Sequence, residues 1–518
     1  MGYFYAIKWI SFRSYQETKP YSYRLSRMDT IKKLAAPLLL LCLMALNLLS
    51  CDGLDENYSS DPNHRLSFSV DTLSFDTVFT TIGSATKEFM IYNRNDRPLL
   101  ISEILLASGE ETGFRINVDG RKGDHFQNVR IQANDSLYVF VEVTVNPNAS
   151  NQPLLVDDSI LFTTNGVRQS VRLEAYGQNV NLYKNGLVLT QDTHFTAERP
   201  YLIYDSLVIS PNVTLHIDPG VTLYMHDTAK VIAYGTLLAQ GTREAPIVFR
   251  GDRLDFILDD LLPYDRTPSQ WGGIFFRSES FHNKMDHVIV RNGKTGLTFE
   301  KSSPDESKLQ LSNSQITNMG ENLFFALNCQ IEVTNTELTN AGGGVVVLVG
   351  GEYRFVHCTL ANFMTLEKRI TPCLTMANNA NQESYPLKAA FDNCIIDGSF
   401  DAGKEEYKGE FHLSIGDDAP FEYRFNHCVI KTKGSDNDHF KEVLFTNASP
   451  SYRLKGGEKN KYRFDFRPDS LTTLGVGKAD ISVTQHYPAD RYGINRLTDN
   501  GPTIGAYEFV PKEEEETN

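Results

Sequence analysis

The sequence predicts an all-β protein in two parts, a short antiparallel sandwich followed by a long right-handed, single-stranded parallel β-helix. The main observation is a six-residue segment that recurs along the middle of the chain, with three copies separated by steps of 22 residues. Its copies begin at His287, Asn313, Asn335, His357, Asn393 and His427. The copies are alternating and β-branched rather than helical in period, and a repeat of this length is typical of a solenoid.

The repeat is expected to place equivalent residues above one another. Parallel strands lie about 4.8 Å apart, so a chain that coils once per repeat stacks the same position of every copy. The two predicted inward columns are Val288, Ser314, Thr336, Cys358, Cys394 and Cys428, and then Val290, Ile316, Leu338, Leu360, Ile396 and Ile430. An inward ladder of amides at a turn is predicted for Asn292, Asn318, Asn340 and Asn362. The coils are expected to be right-handed, as parallel crossovers nearly always are.

The first 50 residues are predicted to be a signal peptide. Leu34–Ser50 is an apolar run preceded by two lysines, short for a spanning helix but suited to a signal-peptide core. The region that precedes this core, residues 1–27, is longer and richer in aromatic residues than is usual for a signal peptide. Met28 is therefore the better candidate for the true start.

The apolar run ends in Leu48-Leu49-Ser50-Cys51, which resembles a bacterial lipobox. The resemblance implies cleavage before Cys51 and a lipid on its sulfur; an ordinary signal peptide with a chance cysteine is the alternative. Residues 51–64 are then a polar tether. Its acidic residues after the cysteine resemble surface-export signals of Bacteroidetes lipoproteins. This implies a lipid anchor in the outer membrane, with the cell surface favoured over the periplasmic face.

Charge and cysteine content narrow the class of protein. The formal net charge of −15, without a basic patch, argues against nucleic-acid binding. Beyond Cys51 the cysteines are odd in number, so no complete disulfide framework is expected; they are Cys329, Cys358, Cys373, Cys394 and Cys428. We interpret those in the inward column as small buried hydrophobes, with a Cys394–Cys428 bridge as the alternative. No pair has zinc spacing, and we predict no metal or other cofactor.

Residues 65–180 are predicted to form the sandwich, because short alternating segments are separated by turn signals. The strand candidates are Leu66–Val70, Thr77–Thr80, Lys87–Asn93, Leu99–Leu106, Leu137–Val145, Ser159–Thr164 and Val171–Ala175. The segments Phe89–Asn93, Val139–Val143 and Val171–Gly177 resemble immunoglobulin-like domains of the ASPM–SPD-2–Hydin type. That resemblance implies a spacer or interaction module.

Residues 181–510 are assigned to the β-helix, with clean alternation from about Leu207. The segments Pro219–Leu223 and Trp271–Phe276 resemble the opening coils of pectin-lyase-like β-helix proteins, which implies the fold and leaves the function open.

The segments Tyr487–Gly493 and Ile504–Phe509 resemble the terminal coil of secreted Bacteroidetes β-helix proteins. They are expected to cap the open end of the solenoid, with Asp490, Arg491 and Arg496 pairing within the cap. Residues 511–518 are an acidic tail.

An insertion between Phe249 and Trp271 is the candidate ligand site. It places acidic, arginine and aromatic residues in a loop on a rigid scaffold, where binding residues are often found. The hypothesis is a ligand or ion site formed by Asp252, Arg253, Asp255 and Trp271. The alternative is a solvated loop in which Trp271 packs against the core.

The sequence favours a non-catalytic cell-envelope lipoprotein that presents its β-helix to a glycan or an envelope protein. The first alternative is a polysaccharide lyase or glycoside hydrolase of the β-helix type. Lyases resembling pectate lyase need clustered carboxylates and a basic residue, and hydrolases need two carboxylates at a defined separation. The outward positions of the repeated strand carry one acid, Glu337, so no catalytic residue is assigned. A purely structural envelope role is the other alternative.

Overall fold

The computed structural model describes residues 57–109, 111–148, 151–258, 261–403, 409–457, 460, 462–497 and 501–511. Within these ranges the chain is almost entirely β, and the predicted fold class is confirmed: an immunoglobulin-like sandwich precedes a parallel β-helix. None of the helices in these ranges is long and apolar enough to cross a membrane. The predicted signal peptide, the start at Met28, the lipidated Cys51 and the tail from residue 512 lie outside the described residues.

The sandwich contains ten strands in two sheets. They are β1 Ser67–Phe68, β2 Thr72–Phe79, β3 Lys87–Tyr92, β4 Leu99–Leu106, β5 Phe114–Val118, β6 Arg121–Gly123, β7 His125–Ile131, β8 Ser136–Val143, β9 Leu154–Thr164 and β10 Val167–Gln178. The sheet orders are β1-β3-β8-β5-β6 and β2-β10-β9-β4-β7. Each of the seven predicted strands is present in part or in full, whereas β5, β6 and β7 were missed. The signal for β5 was available, because Phe114, Ile116 and Val118 alternate with polar residues and are buried.

The β-helix is built from three parallel sheets. The first, here called the repeat sheet, contains β11 Asn181–Tyr183, β14 Tyr201–Ile203, β17 Thr222–Met225, β20 Ile247–Gly251, β25 Val288–Arg291, β28 Gln315–Met319, β31 Glu337–Ala341, β34 Thr359–Asn362, β39 Ile395–Gly398, β42 Val429–Ile430 and β44 Leu444–Phe445. The first coil thus begins at Asn181, before the point where sequence alternation becomes clean.

The other two sheets complete each coil. The second contains β12 Leu187–Leu189, β15 Ser206–Ile209, β18 Lys230–Ala233, β23 Gly273–Phe276, β26 Leu297–Phe299, β29 Phe324–Leu327, β32 Val346–Val349, β35 Leu374–Ala377 and β40 Phe411–Ser414. The third contains β13 Thr193–Phe195, β16 Thr214–Ile217, β19 Thr236–Gln240, β24 Asn283–Asp286, β27 Ser307–Ser312, β30 Gln330–Thr334, β33 Gly351–Val356, β38 Leu387–Asp392, β41 Phe421–Asn426 and β43 Phe440–Lys441.

Short elements lie outside these sheets. They are the hairpins β21 Phe256–Leu258 with β22 Leu262–Pro263, β36 Asn379–Ala380 with β37 Glu383–Ser384, and β45 Tyr452–Lys455 with β46 Phe464–Pro468, a 3₁₀ turn at Tyr264–Arg266, and the helix α1 Ile481–Thr484.

The two predicted inward columns are confirmed. In the second column, Ile316 pairs with Leu338 and Leu338 with Leu360, and these side chains are fully buried. In the first column, the Ser314 hydroxyl accepts from the Val288 amide at 2.9 Å. The five described cysteines are buried and free, so Cys394 and Cys428 are stacked thiols rather than a bridge.

The expected amide ladder does not form. Asn292, Asn340 and Asn362 are buried, but Asn318 is only half-buried. The amides bond to backbone groups rather than to one another: Asn362 Nδ2 donates to Ala341 O at 2.9 Å, and Asn292 Nδ2 donates to Asp265 O at 2.9 Å. Asn292 therefore joins the insertion to a coil, and Asn362 joins two neighbouring coils.

A second regularity explains the first residue of every repeat. This residue has positive φ in each copy, between 47° and 54°, at His287, Asn313, Asn335, His357, Asn393 and His427. Asparagine and histidine are among the non-glycine residues that tolerate this left-handed conformation best. The recurring Asn or His therefore turns the chain into each strand of the repeat sheet.

Replacing Leu338 with alanine tests the stacked column. The side chain is fully buried between Ile316 and Leu360, and we expect the free energy of unfolding to fall by about 2–5 kcal/mol. Urea unfolding followed by Trp271 fluorescence measures the loss. The exposed Lys284→Ala, in the third sheet, is the control and should change stability by no more than about 0.5 kcal/mol. A loss below about 1 kcal/mol in Leu338→Ala would contradict the packed column.

Candidate functional site

The predicted site residues do not all lie together. Asp252, Arg253 and Asp255 follow β20 and begin the insertion, which continues through the β21–β22 hairpin and the 3₁₀ turn. Trp271 is 1 % exposed and packs in the β-helix core, where its Nε1 donates to Arg291 O at 2.8 Å. The grouping of Trp271 with the surface charges was wrong, because its indole is held inside the coil.

The three charged residues line a cleft between the two domains. The cavity has a volume of about 270 Å³. Its sandwich side includes Phe75, Phe79, Ile82, Ser84 and Lys87, and its β-helix side includes Tyr204, His226, Asp252, Arg253, Leu254 and Asp255. Phe79 also contacts Tyr224 of β17, with ring centroids 4.7 Å apart, so direct aromatic packing joins the domains beside the cavity.

An aromatic pair forms part of the β-helix wall. The rings of Tyr204 and His226 are stacked, with centroids 3.9 Å apart and planes within 21°. His226 Nδ1 lies 2.7 Å from Asp252 Oδ2, and this contact fixes the imidazole against the tyrosine. Partial burial, and secondarily the negative charge of Asp252, raise the pKa of the Tyr204 hydroxyl. Tyr204 therefore presents a neutral phenol to the cleft.

A second charged pair lies beside the first. Arg253 donates through Nε to Asp255 Oδ1 at 2.7 Å and through Nη2 to Asp255 Oδ2, which makes a two-bonded ion pair. The hydrogen bond that Arg253 donates to Asp255 raises the pKa of Arg253, and the Arg253 guanidinium lies 4.1 Å from the centre of the Tyr264 ring. The insertion is held to the coils by Asp265, which pairs with Arg250 at 2.9 Å and Arg291 at 3.1 Å.

This arrangement suits a polar ligand with an apolar face. Binding sites commonly combine aromatic walls with a few fixed polar groups, and the cleft has both. Within the described ranges, no group of three or more His, Cys, Asp or Glu side chains could hold a metal ion. The pairing of Asp252 with His226, and of Asp255 with Arg253, gives the cleft fixed donors and acceptors.

Sequence reasoning missed Tyr204 and His226, although a signal for them exists. They lie 22 residues apart, the same step as the central repeat, and each directly follows a strand of the repeat sheet. Each is followed by an aspartate of positive φ, Asp205 and Asp227. Extending the repeat upstream would have placed both rings at one turn on adjacent coils.

The C-terminal segment occupies a different place from the one predicted. Residues 479–497 and 501–511, here called the C-terminal arm, lie along the outward face of the repeat sheet rather than over its last coil. The Ala506 amide donates to Thr359 Oγ1 at 3.0 Å, and Arg243 Nη1 donates to Tyr492 O at 2.8 Å. These contacts extend from Arg243, which precedes the first copy of the repeat, to Thr359 in the fourth copy, so the arm covers the solenoid's side.

The arm buries the acid that the repeated strand presents outward. Glu337 is 3 % exposed, accepts from Gln315 Nε2 at 2.8 Å, and also accepts from the Tyr507 hydroxyl. As predicted, the arm's own polar residues bond largely within it: Asp490 accepts from the amides of Ile494 and Glu508. The outward face here is a sealed interface rather than an open groove.

Comparison with known proteins gives limited similarity. No protein-family profile matches the chain. A stretch of 104 residues is 34 % identical to Protein bark beetle of Drosophila melanogaster; it makes up 19 % of this chain and spans 3 % of that protein. So small a share of the relative assigns no family.

Two of the solved structures that align with parts of this chain are the following. The catalytic domain of a GH87 alpha-1,3-glucanase in complex with tetrasaccharides aligns over 70 % of this chain and 88 % of its own, at 9 % identity and a TM-score of 0.30. The ASH/PapD-like domain of human CEP192 aligns over 25 % of this chain and 94 % of its own, at 10 % identity and a TM-score of 0.16. At these scores the likenesses carry no argument about function.

Proposed function

We propose that this protein is a non-catalytic, lipid-anchored protein of the cell envelope that binds a glycan in the cleft between its two domains. The lipobox-like Cys51 and the acidic residues after it support the anchor and the favoured exposure at the cell surface. The sandwich then holds the β-helix away from the membrane.

The observation that carries the proposal is the composition of the cleft. A pyranose ring has apolar C–H faces and a rim of hydroxyls, so it needs an aromatic surface and nearby polar groups. The stacked Tyr204–His226 pair supplies the first, and Asp252, Arg253 and Asp255 supply the second. An envelope protein partner is the alternative occupant.

The alternative of a lyase or glycoside hydrolase is favoured by one contact, the 2.7 Å pair of His226 and Asp252. Such a pair can orient an imidazole as a general base. Asp255, however, is held on both oxygens by Arg253, which leaves it poorly placed to act as a second catalytic carboxyl. On the repeat sheet, Glu337 is buried under the C-terminal arm, so we favour binding without cleavage.

The test is a glycan-array screen of the soluble chain from Asp52, with reducing-end release and unsaturated products measured on each hit. We expect binding without product. Tyr204→Ala should weaken each cleft-dependent interaction at least about tenfold, or about 1.4 kcal/mol, because it removes half of the stacked pair.

The control is Tyr176→Ala, which removes an exposed tyrosine of β10 outside the cleft-lining set and should leave binding unchanged. Formation of product would make the enzyme interpretation primary. Equal loss in both variants, or absence of any glycan hit, would reject the cleft as a glycan site.

A further inference from the structure

The open face of the β1-β3-β8-β5-β6 sheet has features that a simple spacer does not need. Strand β8 points Tyr138 and Phe140 outward, with ring centroids 5.9 Å apart and planes within 19° of parallel. Tyr138 is 46 % exposed, and exposed apolar residues that form a contiguous patch often mark an interaction site. Met90 and Tyr92, on the adjacent strand β3, extend this apolar surface.

A cavity lies beside Phe140. Its volume is about 560 Å³, twice that of the cleft between the domains, and Phe140 forms part of its wall. The register places Phe140 opposite Asn117 of β5, and Asn117 opposite Lys122 of β6. One wall is therefore aromatic, and the floor and far wall carry amide and ammonium groups.

The cavity is lined by equal numbers of positive and negative side chains, and one of its polar atoms has no hydrogen-bond partner. Arg115 lies 3.6 Å from Glu142 and donates to Thr144 at 2.9 Å, while Lys122 is followed within two residues by Asp124. Asn117 Oδ1 is buried and has no hydrogen-bond partner among the described residues. A buried acceptor without a partner costs about 1–3 kcal/mol, so a donor from a ligand would relieve that cost.

We infer that this face of the immunoglobulin-like domain is a second glycan-binding site, in which a neutral pyranose chain lies against Tyr138 and Phe140 and donates a hydroxyl to Asn117 Oδ1. The paired charges favour a neutral sugar over a uronic-acid polymer, because no excess of cations faces the cavity. A site here would let one protein hold two points of a polysaccharide and raise its apparent affinity without any new contact in the cleft. Binding at this second site does not require a ligand in the cleft between the domains.

The probes are the neutral hexaoses of β-1,4-glucan, β-1,4-xylan, β-1,4-mannan, α-1,4-glucan and α-1,3-glucan, titrated calorimetrically into the soluble chain from Asp52. We expect at least one to bind, and the double variant Tyr138→Ala/Phe140→Ala to weaken that binding at least tenfold. Asn117→Ala, which leaves both rings in place, should weaken it several-fold and guards against a folding defect in the double variant.

The cleft variant Tyr204→Ala separates the two proposals. A hexaose whose affinity falls with Tyr138→Ala/Phe140→Ala or Asn117→Ala but not with Tyr204→Ala binds at the sandwich, whatever happens in the cleft. If none of the five hexaoses binds, or if both sandwich variants bind like wild type, the inference is overturned. Stronger binding of a hexagalacturonate than of every neutral probe would overturn the assignment of a neutral ligand.

Discussion

Replacing Arg496 with alanine is expected to lower the free energy of unfolding by about 3–5 kcal/mol. Arg496 belongs to the C-terminal arm, and its guanidinium is fully buried between the arm and the repeat sheet. It donates to Thr503 O at 3.2 Å, to Gly505 O at 3.0 Å and to Asn335 Oδ1 at 3.2 Å. Burial lowers its pKa to about 10, which leaves it charged at neutral pH.

The large effect follows from what the substitution leaves behind. Arg496 Nη1 lies 3.9 Å from the buried Glu508 carboxylate, and the alanine variant removes that cation together with three hydrogen bonds. Removing one partner of a buried ionic group costs more than removing both. A cycle that includes Glu508→Gln should therefore show coupling, with the double variant losing less than the sum of the single variants.

The measurement is urea unfolding followed by the fluorescence of Trp271, combined with limited proteolysis of the arm. The control is Arg168→Ala, because Arg168 is exposed on β10 of the sandwich and its charge partner Glu103 lies 4.0 Å away; it should cost no more than about 1 kcal/mol. An Arg496→Ala protein with wild-type stability and an uncleaved arm would refute the role assigned to the buried guanidinium.

The packing of the coils could be predicted from the sequence because it is periodic. Leu338 is paired with the residues 22 positions before and after it, so the repeat period alone predicts which residues are its neighbours. The same holds for the left-handed residue that begins each copy, where Asn and His recur for a conformational reason. Local pattern and tertiary contact coincide in a solenoid, since each coil touches only its neighbours.

The C-terminal arm could not be placed in this way. Its contacts join residues far apart in sequence, such as Asn335 with Ala489, which are 154 positions apart, and Thr359 with Ala506, which are 147 apart. No period connects these residues. The sequence resemblance predicted a cap over the open end of the solenoid. Whether the segment lies at the end or along the side depends on which surface its side chains complement.

Of the residues that line the candidate site, the sequence identified only residues of the β-helix. Asp252, Arg253 and Asp255 stood out as charged residues in an insertion, and all three line the cleft. The opposite wall comes from β2 and the loop after it, and no sequence feature relates that region to residue 252. Trp271 was assigned to the site because tryptophan is common both in the walls of binding sites and in hydrophobic cores. Its burial in the structure shows that it belongs to the core.

One buried histidine is expected to lower the free energy of unfolding at acid pH. His357 is fully buried beneath the arm, with Nε2 3.0 Å from Thr484 Oγ1 and 3.0 Å from Asn393 Nδ2. Burial, and then the positive charge of Arg496, lower its pKa well below 6.5. The backbone carbonyl of Asp480 accepts from the Thr484 hydroxyl, while the Asp480 carboxylate bonds to Asn426 and Ser482 rather than to His357.

The sign follows from proton linkage. Above pH 6.5 His357 is neutral in both the folded and the unfolded chain and contributes no pH dependence. As the pH falls through 6.5 the unfolded chain binds a proton that the folded chain does not, so the free energy of unfolding decreases by up to about 1.4 kcal/mol per pH unit. From pH 7 to pH 5 this one group should cost about 2 kcal/mol.

The matched variant is His357→Asn, because asparagine already occupies the same left-handed position in the repeats at Asn313, Asn335 and Asn393. It preserves the backbone preference and removes the titrating ring. Unfolding free energies measured by urea at pH 7 and pH 5 should fall about 2 kcal/mol less in the variant than in wild type. Parallel losses in the two proteins would mean that His357 takes up its proton in the folded state, and that the arm above it admits water or opens below pH 6.5.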